Sequence, residues 1–201
     1  MKIILLFLLA LNLIAQDDYS FRAAYGKASG SALGDIVSGD LSQHEKDLSV
    51  LAFDAGYLLK ENAFEWPMDI YVKAGLSQFD ESAVNLNDVY EATIYIKAYW
   101  NFDFLDNRVR FGFGEGASYT SDILFVEKEE AATVVDGKTS YFLNYIDISL
   151  DFDFGRLIHY KPLHNTYIGW TLKHRSGIYG LINGVSKGGS NYNLVYLEKN
   201  F

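Results

Sequence analysis

The sequence predicts an all-β protein, an eight-stranded antiparallel up-and-down transmembrane β-barrel that follows a cleaved signal peptide. Three observations support this prediction. The N-terminal segment has the composition of an export signal, the rest of the chain alternates apolar and polar residues in eight stretches, and the connections between these stretches alternate in length. Alternation with a period of two is typical of a strand that has one apolar face.

The composition limits the functions that the protein can have. The chain has 201 residues, no Cys and a formal net charge of −9. This length fits a single domain, and without Cys there is no disulfide framework, no thiol nucleophile and no lipoprotein anchor. Because binding to phosphate backbones needs a basic surface, we expect no nucleic-acid partner. The apolar fraction of 49% is too high for a disordered chain.

Residues 1–15 are predicted to be a secretory signal peptide. Lys2 precedes a largely apolar run that ends at Ala15, and polar residues follow from Gln16. One positive charge, an apolar run and a small residue at its end are the parts of such a signal. The run is also short for a membrane-spanning helix. We therefore expect the mature barrel domain to be residues 16–201.

The eight alternating stretches predict the strands of the barrel. The fourth is the clearest, because apolar side chains occupy every second position from Tyr90 to Phe104 while Glu91, Lys97 and other polar residues fall between them. Strands one, two, four, six, seven and eight are predicted near residues 19–27, 48–59, 88–104, 140–154, 166–176 and 190–201, and strands three and five around 69–76 and 108–114. Eight is an even number, and most of the strands reach the 9–11 residues that cross a bilayer at a tilt.

The alternation alone does not decide which face points inward. A soluble barrel of the lipocalin type encloses a ligand with its apolar face, whereas an outer-membrane barrel turns that face to lipid. Long connections after strands one, three, five and seven, with short ones after strands two and four, favour the outer membrane. So do the C-terminal Phe201, with Leu197 and Val195 at even spacing, and the many charges of the polar face, which a closed barrel can pair inside.

The longest connection, around residues 126–138, is rich in acidic side chains. It contains Glu127, Glu129, Glu130 and Asp136. We interpret this segment as a solvated loop tip, because its spacing matches no calcium-binding template. The alternative is that these carboxylates bind a divalent cation at the cell surface, but we assign no metal site there.

Strand seven carries the candidate catalytic pair. The nucleophiles available to a chain without Cys are Ser, Thr and Lys, and of the four histidines only His174 falls inside a strand pattern. Side chains two apart share a face, so His174 and Ser176 continue the apolar face and would meet lipid near the extracellular end. There the His can accept the Ser proton and the Ser can attack an ester carbonyl. The alternative is that His174 is a polar interfacial residue without chemistry.

The stretch His174-Arg175-Ser176-Gly177, with the Gly/Asn-rich loop and closing strand that follow it, resembles the lipid A 3-O-deacylase (PagL) family of outer-membrane esterases. The resemblance implies an eight-stranded barrel in the outer membrane that contacts lipid A, the membrane anchor of lipopolysaccharide, in the outer leaflet. It implies removal of the ester-linked acyl chain at position 3 without a cofactor or metal. Carried over to this chain, Ser176 is the nucleophile and His174 the general base.

The chain departs from the family pattern in two places. The family has an Asn after the nucleophile, and here Gly177 offers only a backbone N–H as an oxyanion donor. The family Glu that orients the His has no counterpart, because residues 178–197 contain no acid, and matching the closing strands puts Ser190 in its place. Asn183 is a candidate oxyanion donor, and Asn144 on strand six is a candidate to orient the His.

Two functions from different classes therefore follow from the sequence. The first is a carboxylic ester hydrolase of the lipid A deacylase type, impaired to some degree by the missing acid. The second is a non-catalytic outer-membrane barrel with a structural or surface-interaction role. A soluble lipocalin-like carrier is a third option if the apolar face points inward. A homodimer is compatible with either membrane function.

Overall fold

The computed structural model describes residues 18–201. The predicted signal peptide, residues 1–15, lies outside the described residues. Eight strands form a closed barrel in which each pairs with its neighbours in the chain and the last pairs with the first. They are β1 (Tyr19–Ala28), β2 (Ser49–Lys60), β3 (Met68–Asp80), β4 (Val89–Phe104), β5 (Asn107–Thr120), β6 (Phe142–Asp153), β7 (Thr166–Ser176) and β8 (Ser190–Asn200).

The predicted fold class is confirmed, with small differences in strand length. All neighbouring pairs are antiparallel, as an up-and-down barrel requires. The third and fifth strands extend beyond their predicted centres, to Asp80 and Thr120. The connections hold three short α-helices, α1 (Leu33–Val37), α2 (Phe125–Ala131) and α3 (Phe154–Leu157), and 3-10 turns at Ala63–Glu65, Ser82–Val84 and Lys161–Leu163. Across residues 18–201, no helix is long and apolar enough to cross a membrane.

The apolar face of the sheet points outward. Leu76, Ile94 and Val195 are 68%, 60% and 66% exposed, whereas the charged side chains that alternate with them, such as Lys97 and Glu91, are buried. This orientation is the one predicted for an outer-membrane barrel. It excludes the lipocalin-like alternative, in which the apolar side chains would line an internal ligand cavity.

Paired charges fill the interior of the barrel. Nε of Arg22 donates to Asp54 over 2.9 Å, and its Nη2 donates to Asp147 over 2.6 Å. The ammonium of Lys97 also contacts Asp147. Nearer the end with short connections, further pairs join Arg110 to Asp151 and Lys73 to Glu198. Because buried charges are tolerated when they are paired and hydrogen-bonded, these contacts explain how so polar a lumen can close.

The long connection after β5 closes the outer end of the lumen. Leu124 and Val126 pack with inward-facing apolar side chains of the strands, including Phe79, Val89 and Leu194. The backbone N–H of Phe125, at the start of α2, donates to the Glu81 carboxylate over 2.7 Å. Helix α2 is therefore a plug that packs into the barrel mouth.

The interpretation of this connection as a solvated loop tip is wrong for the α2 segment. Glu127 is fully buried and forms an ion pair with Arg175 inside the barrel, with the charged atoms 3.0 Å apart. Glu129 lies 2.8 Å from His44 in the connection after β1, and Glu130 accepts the backbone N–H of Gly189 at 2.8 Å. Each glutamate thus ties the plug to a different part of the barrel. In the part of the chain that the structure describes, no cluster of three or more His, Asp or Glu side chains could hold a metal ion.

Candidate functional site

The outer ends of β6, β7 and β8 bring polar side chains together on the outward face. In the sheet register, His174 on β7 lies opposite Ile146 on β6 and Asn191 on β8, while Ser176 lies opposite Asn144. His174 is only 9% exposed, although the strand parity directs it away from the lumen. The long connections cover His174, so the candidate site is shielded from direct contact with lipid.

These side chains line a cavity of about 440 Å³. Its floor is the outer surface of the sheet, and its walls come from the connections after β1 and β7. Ile146, Leu33 and Val185 supply apolar lining beside the polar groups. A pocket that combines apolar walls with a few convergent polar groups is typical of a small-molecule or lipid site.

Asn191 fixes the protonation of the His174 ring. Nδ1 of His174 lies 2.7 Å from Oδ1 of Asn191, and Nδ2 of Asn191 donates to the backbone carbonyl of Ser31 over 3.0 Å. Because a carbonyl oxygen only accepts, the amide nitrogen must face Ser31 and the amide oxygen must face the ring. Nδ1 of the neutral ring therefore carries the proton, and the lone pair is on Nε2, where a general base needs it.

Asn144 presents a free amide to the same cavity. It is 7% exposed, and its Nδ2 is buried without a hydrogen-bond partner in the described chain. An unsatisfied buried donor costs about 1–3 kcal/mol, so such a group needs an explanation. Its position beside Ser176 in the register is suited to an oxyanion that forms on a substrate bound to that serine.

Ser176 lines the cavity together with His174. Within residues 18–201, no hydrogen bond joins the Ser176 hydroxyl to the ring or to another group. Positions two apart on one face of a strand are about 7 Å apart along the backbone. The hydroxyl can therefore meet Nε2 only when both side chains lean towards each other, and catalytic hydrogen bonds commonly tighten only when substrate binds.

Gly177 lets the connection after β7 turn close to the sheet. A Cβ added at this residue would lie 2.1 Å from the backbone oxygen of Val185. The carbonyl of Gly177 accepts the backbone N–H groups of Gly180 and Ile182, at 3.2 and 2.9 Å. This compact turn holds Gly177 in the cavity lining, next to Ser176.

Two of the predicted site residues lie elsewhere. Ser190 points into the barrel, where its hydroxyl donates to Glu127 over 2.9 Å, so it cannot orient His174 on the opposite face. Asn183 uses its amide nitrogen to donate to Ser140 and to the backbone of Phe142, at 2.9 and 3.1 Å. It anchors its connection to β6, and its side chain has no donor left for an oxyanion.

Two residues of the cavity were missed by the sequence reasoning. Asn191 has the outward parity of Val195 and Leu197 on β8, and Glu115 has the outward parity of Phe111 and Phe113 on β5. Both are polar residues at positions whose parity faces lipid. Because polar side chains are costly at such positions, this pattern could have identified them from the sequence.

Helix α2 holds the inner side of the same two strands. Glu127 forms an ion pair with Arg175, which lies between His174 and Ser176 in sequence, and accepts a hydrogen bond from Ser190, which precedes Asn191. Burial raises the pKa of Glu127 to about 7, against the lowering effect of Arg175 and the Ser190 hydroxyl. One carboxylate thus bridges β7 and β8 directly behind the candidate site.

Comparisons with known proteins show the fold alone. No family model matches the chain, and no curated protein matches it significantly. Among solved structures, the chain is similar to the outer membrane enzyme PagL, with a TM-score of 0.59 and 12% identity over 90% of this chain and 99% of that one. It is also similar to Neisserial surface protein A (NspA), with a TM-score of 0.51 and 13% identity over 92% of this chain and 98% of that one. The chain therefore has the eight-stranded fold of outer-membrane barrels.

Proposed function

We propose that the protein is an outer-membrane esterase that hydrolyses an acyl ester of a lipid in the outer leaflet, with Ser176 as nucleophile and His174 as general base. The observation that carries the proposal is the arrangement around His174. Asn191 leaves the Nε2 lone pair free, and that ring shares one cavity with the Ser176 hydroxyl and the unpartnered amide of Asn144.

The reaction has two steps. Nε2 of His174 takes the hydroxyl proton while Oγ of Ser176 attacks the ester carbonyl, and the resulting oxyanion accepts hydrogen bonds from Nδ2 of Asn144 and the backbone N–H of Gly177. The intermediate collapses as the His proton passes to the departing alcohol, which leaves an acyl-serine. In the second step, His174 removes a proton from water, the water oxygen attacks the acyl group, and the fatty acid leaves as Oγ regains its proton.

The position of the cavity favours a lipid substrate. It opens on the outward face of the barrel, at the end with the long connections. A lipid ester in the outer leaflet can therefore reach it without crossing the lumen. The resemblance of the His174–Gly177 stretch to the lipid A 3-O-deacylases makes the 3-O acyl chain of lipid A the first substrate to test, and the structural likeness to an outer-membrane enzyme supports this choice.

Mass spectrometry of lipid A tests the proposal. In a host whose lipid A bears the 3-O chain, expression of the protein should remove that one acyl chain. Ser176→Ala and His174→Ala should each restore the intact lipid, while Ser49→Ala, at the outer end of β2, should not. The barrel of every variant is checked by its β-sheet circular dichroism. Intact lipid A in cells that hold the folded wild-type barrel contradicts this substrate.

A second candidate function is a non-catalytic barrel that acts through its long connections. The likeness to a surface protein of the same fold supports it. This function predicts no acyl loss from any lipid, and no difference between wild type and Ser176→Ala in the assay above.

A further inference from the structure

Glu115 is an acidic side chain on the lipid-facing side of β5. It alternates with the inward-facing Gly114 and Gly116, and its register neighbours on the adjoining strands are Ile96 and Ile146. A carboxylate among apolar outward side chains is costly in a bilayer, although the cost is smaller near the interface. Packing of the barrel therefore gives no reason for an acid at this position.

No group of the described chain, residues 18–201, satisfies the Glu115 carboxylate by an ion pair or a hydrogen bond. Its side chain lines the cavity that holds His174 and Ser176. The other carboxylate of that cavity, Glu130, accepts the backbone N–H of Gly189. Glu115 thus offers the cavity a free acceptor.

The register places this acceptor level with the catalytic base. Glu115, Ile146, His174 and Asn191 form one row across β5, β6, β7 and β8. Adjacent strands are about 4.8 Å apart, so β5 lies roughly 10 Å from β7. A substrate whose ester carbonyl sits at Ser176 would therefore place the atoms that flank the ester between His174 and the Glu115 carboxylate.

We propose that Glu115 is a specificity-determining residue whose carboxylate accepts a hydrogen bond from a hydroxyl or amide N–H next to the scissile ester. This inference rests on the proposed esterase function. Ester-bearing sugars carry such donors on the neighbouring ring atoms, whereas the glycerol backbone of phosphatidylcholine carries none. Glu115 therefore selects esters of hydroxyl- or amide-bearing scaffolds over those of phosphatidylcholine.

Hydrolysis of two matched substrates tests this selection. One is a glucosamine acylated on oxygen beside a free hydroxyl, and the other is phosphatidylcholine with the same acyl chains, both in detergent micelles. Glu115→Leu should lower kcat/KM for the sugar ester about ten- to hundredfold, as loss of a hydrogen bond to a charged group does. The value for phosphatidylcholine should be unchanged. Leu suits a lipid-facing position, so the variant keeps the barrel, and Phe113→Leu on the same face serves as the control.

Binding separates this inference from the proposed function. Calorimetric titration of Ser176→Ala with the sugar ester should show binding that is weakened about tenfold or more when Glu115→Leu is added. If wild type hydrolyses neither substrate but this weakening of binding is observed, the proposed esterase function is wrong and Glu115 is still a binding residue. The inference about Glu115 is wrong if Glu115→Leu leaves the ratio of the two hydrolysis rates unchanged, or if binding of the sugar ester does not depend on Glu115. If wild type still hydrolyses an ester in that case, the proposed esterase function is retained.

Discussion

The partner of His174 decides how strongly this ring can act as a base. Asn191 holds the ring in the tautomer that a base needs, because the carbonyl of Ser31 fixes the direction of the amide. A neutral amide does not stabilise the imidazolium that forms in the reaction as a carboxylate would. Nucleophile–His–Asn arrangements nevertheless catalyse acyl transfer in papain-like proteases. We therefore expect an active but slow enzyme.

Substitution of Asn191 tests whether its amide orients the His174 ring. Asn191→Ala removes the acceptor that holds Nδ1–H, and we expect kcat to fall by roughly 10²–10⁴, in line with losses of an orienting group in other hydrolases. Asn193→Ala, two residues along the same face of β8, is the control. Both variants are assayed by ester hydrolysis in micelles. Equal rates for Asn191→Ala and wild type would remove Asn191 from the mechanism.

Strand parity explains which site residues the sequence could predict. The period of two placed His174 and Ser176 on the outward face correctly. Matching the closing strand to a family pattern put Ser190 beside the ring, and the structure puts Asn191 there. A slip of one residue moves a side chain to the other face of a sheet. The one-residue error therefore named Ser190, which faces the lumen, in place of Asn191, which lies in the site. The direction of the Asn144 amide depends on packing that no sequence pattern contains.

Helix α2 stabilises the strands that carry the candidate site. Its glutamates contact the connection after β1, the start of β8 and the inner face of β7. The acidic composition of this segment pointed to solvent, because the sequence does not say that α2 folds into the barrel mouth and brings Glu127 within reach of the inward-facing Arg175. Long-range ion pairs of this kind depend on the closed fold, which brings together residues that are distant in the chain.

The burial of Glu127 predicts a pH dependence of stability. Its pKa is raised in the folded barrel to about 7 from an ordinary value near 4.5. The folded state therefore binds more protons than the unfolded state between these pH values, and this group's contribution to stability is largest below pH 4.5 and is lost as the pH rises through 7. The loss is roughly 3 kcal/mol.

Urea unfolding of the barrel in detergent measures this contribution. The side chain in Glu127→Gln cannot titrate. As the pH rises from 4.5 to 7, the unfolding free energy of wild type should therefore fall relative to that of the variant. Thr133→Ala, just beyond α2, should keep the wild-type pH dependence. A wild-type and a Glu127→Gln profile that run parallel over this range would contradict the burial argument.

The alternation of apolar and polar residues determines both the barrel and the position of its candidate site. Apolar side chains face outward and paired charges fill the lumen, so the sequence predicted the fold class, the strand number and the orientation together. The outward face becomes polar near the outer end of β5 to β8, at Glu115, Asn144, His174 and Asn191. A cavity on that surface lies on the lipid side of the barrel rather than in the lumen, and this position favours a lipid ester as substrate.

Covalent labelling of the barrel in lipid vesicles, with a phosphonate ester that carries a long alkyl chain, tests whether His174 activates Ser176. Such a probe enters the bilayer and phosphonylates a serine that a neighbouring base has activated. Peptide mass spectrometry should locate the adduct on Ser176 in wild type and find it strongly reduced in His174→Ala. An unlabelled Ser176 in the folded wild-type barrel, or equal labelling in the two proteins, would contradict the activation of Ser176 by His174 on the lipid-facing side.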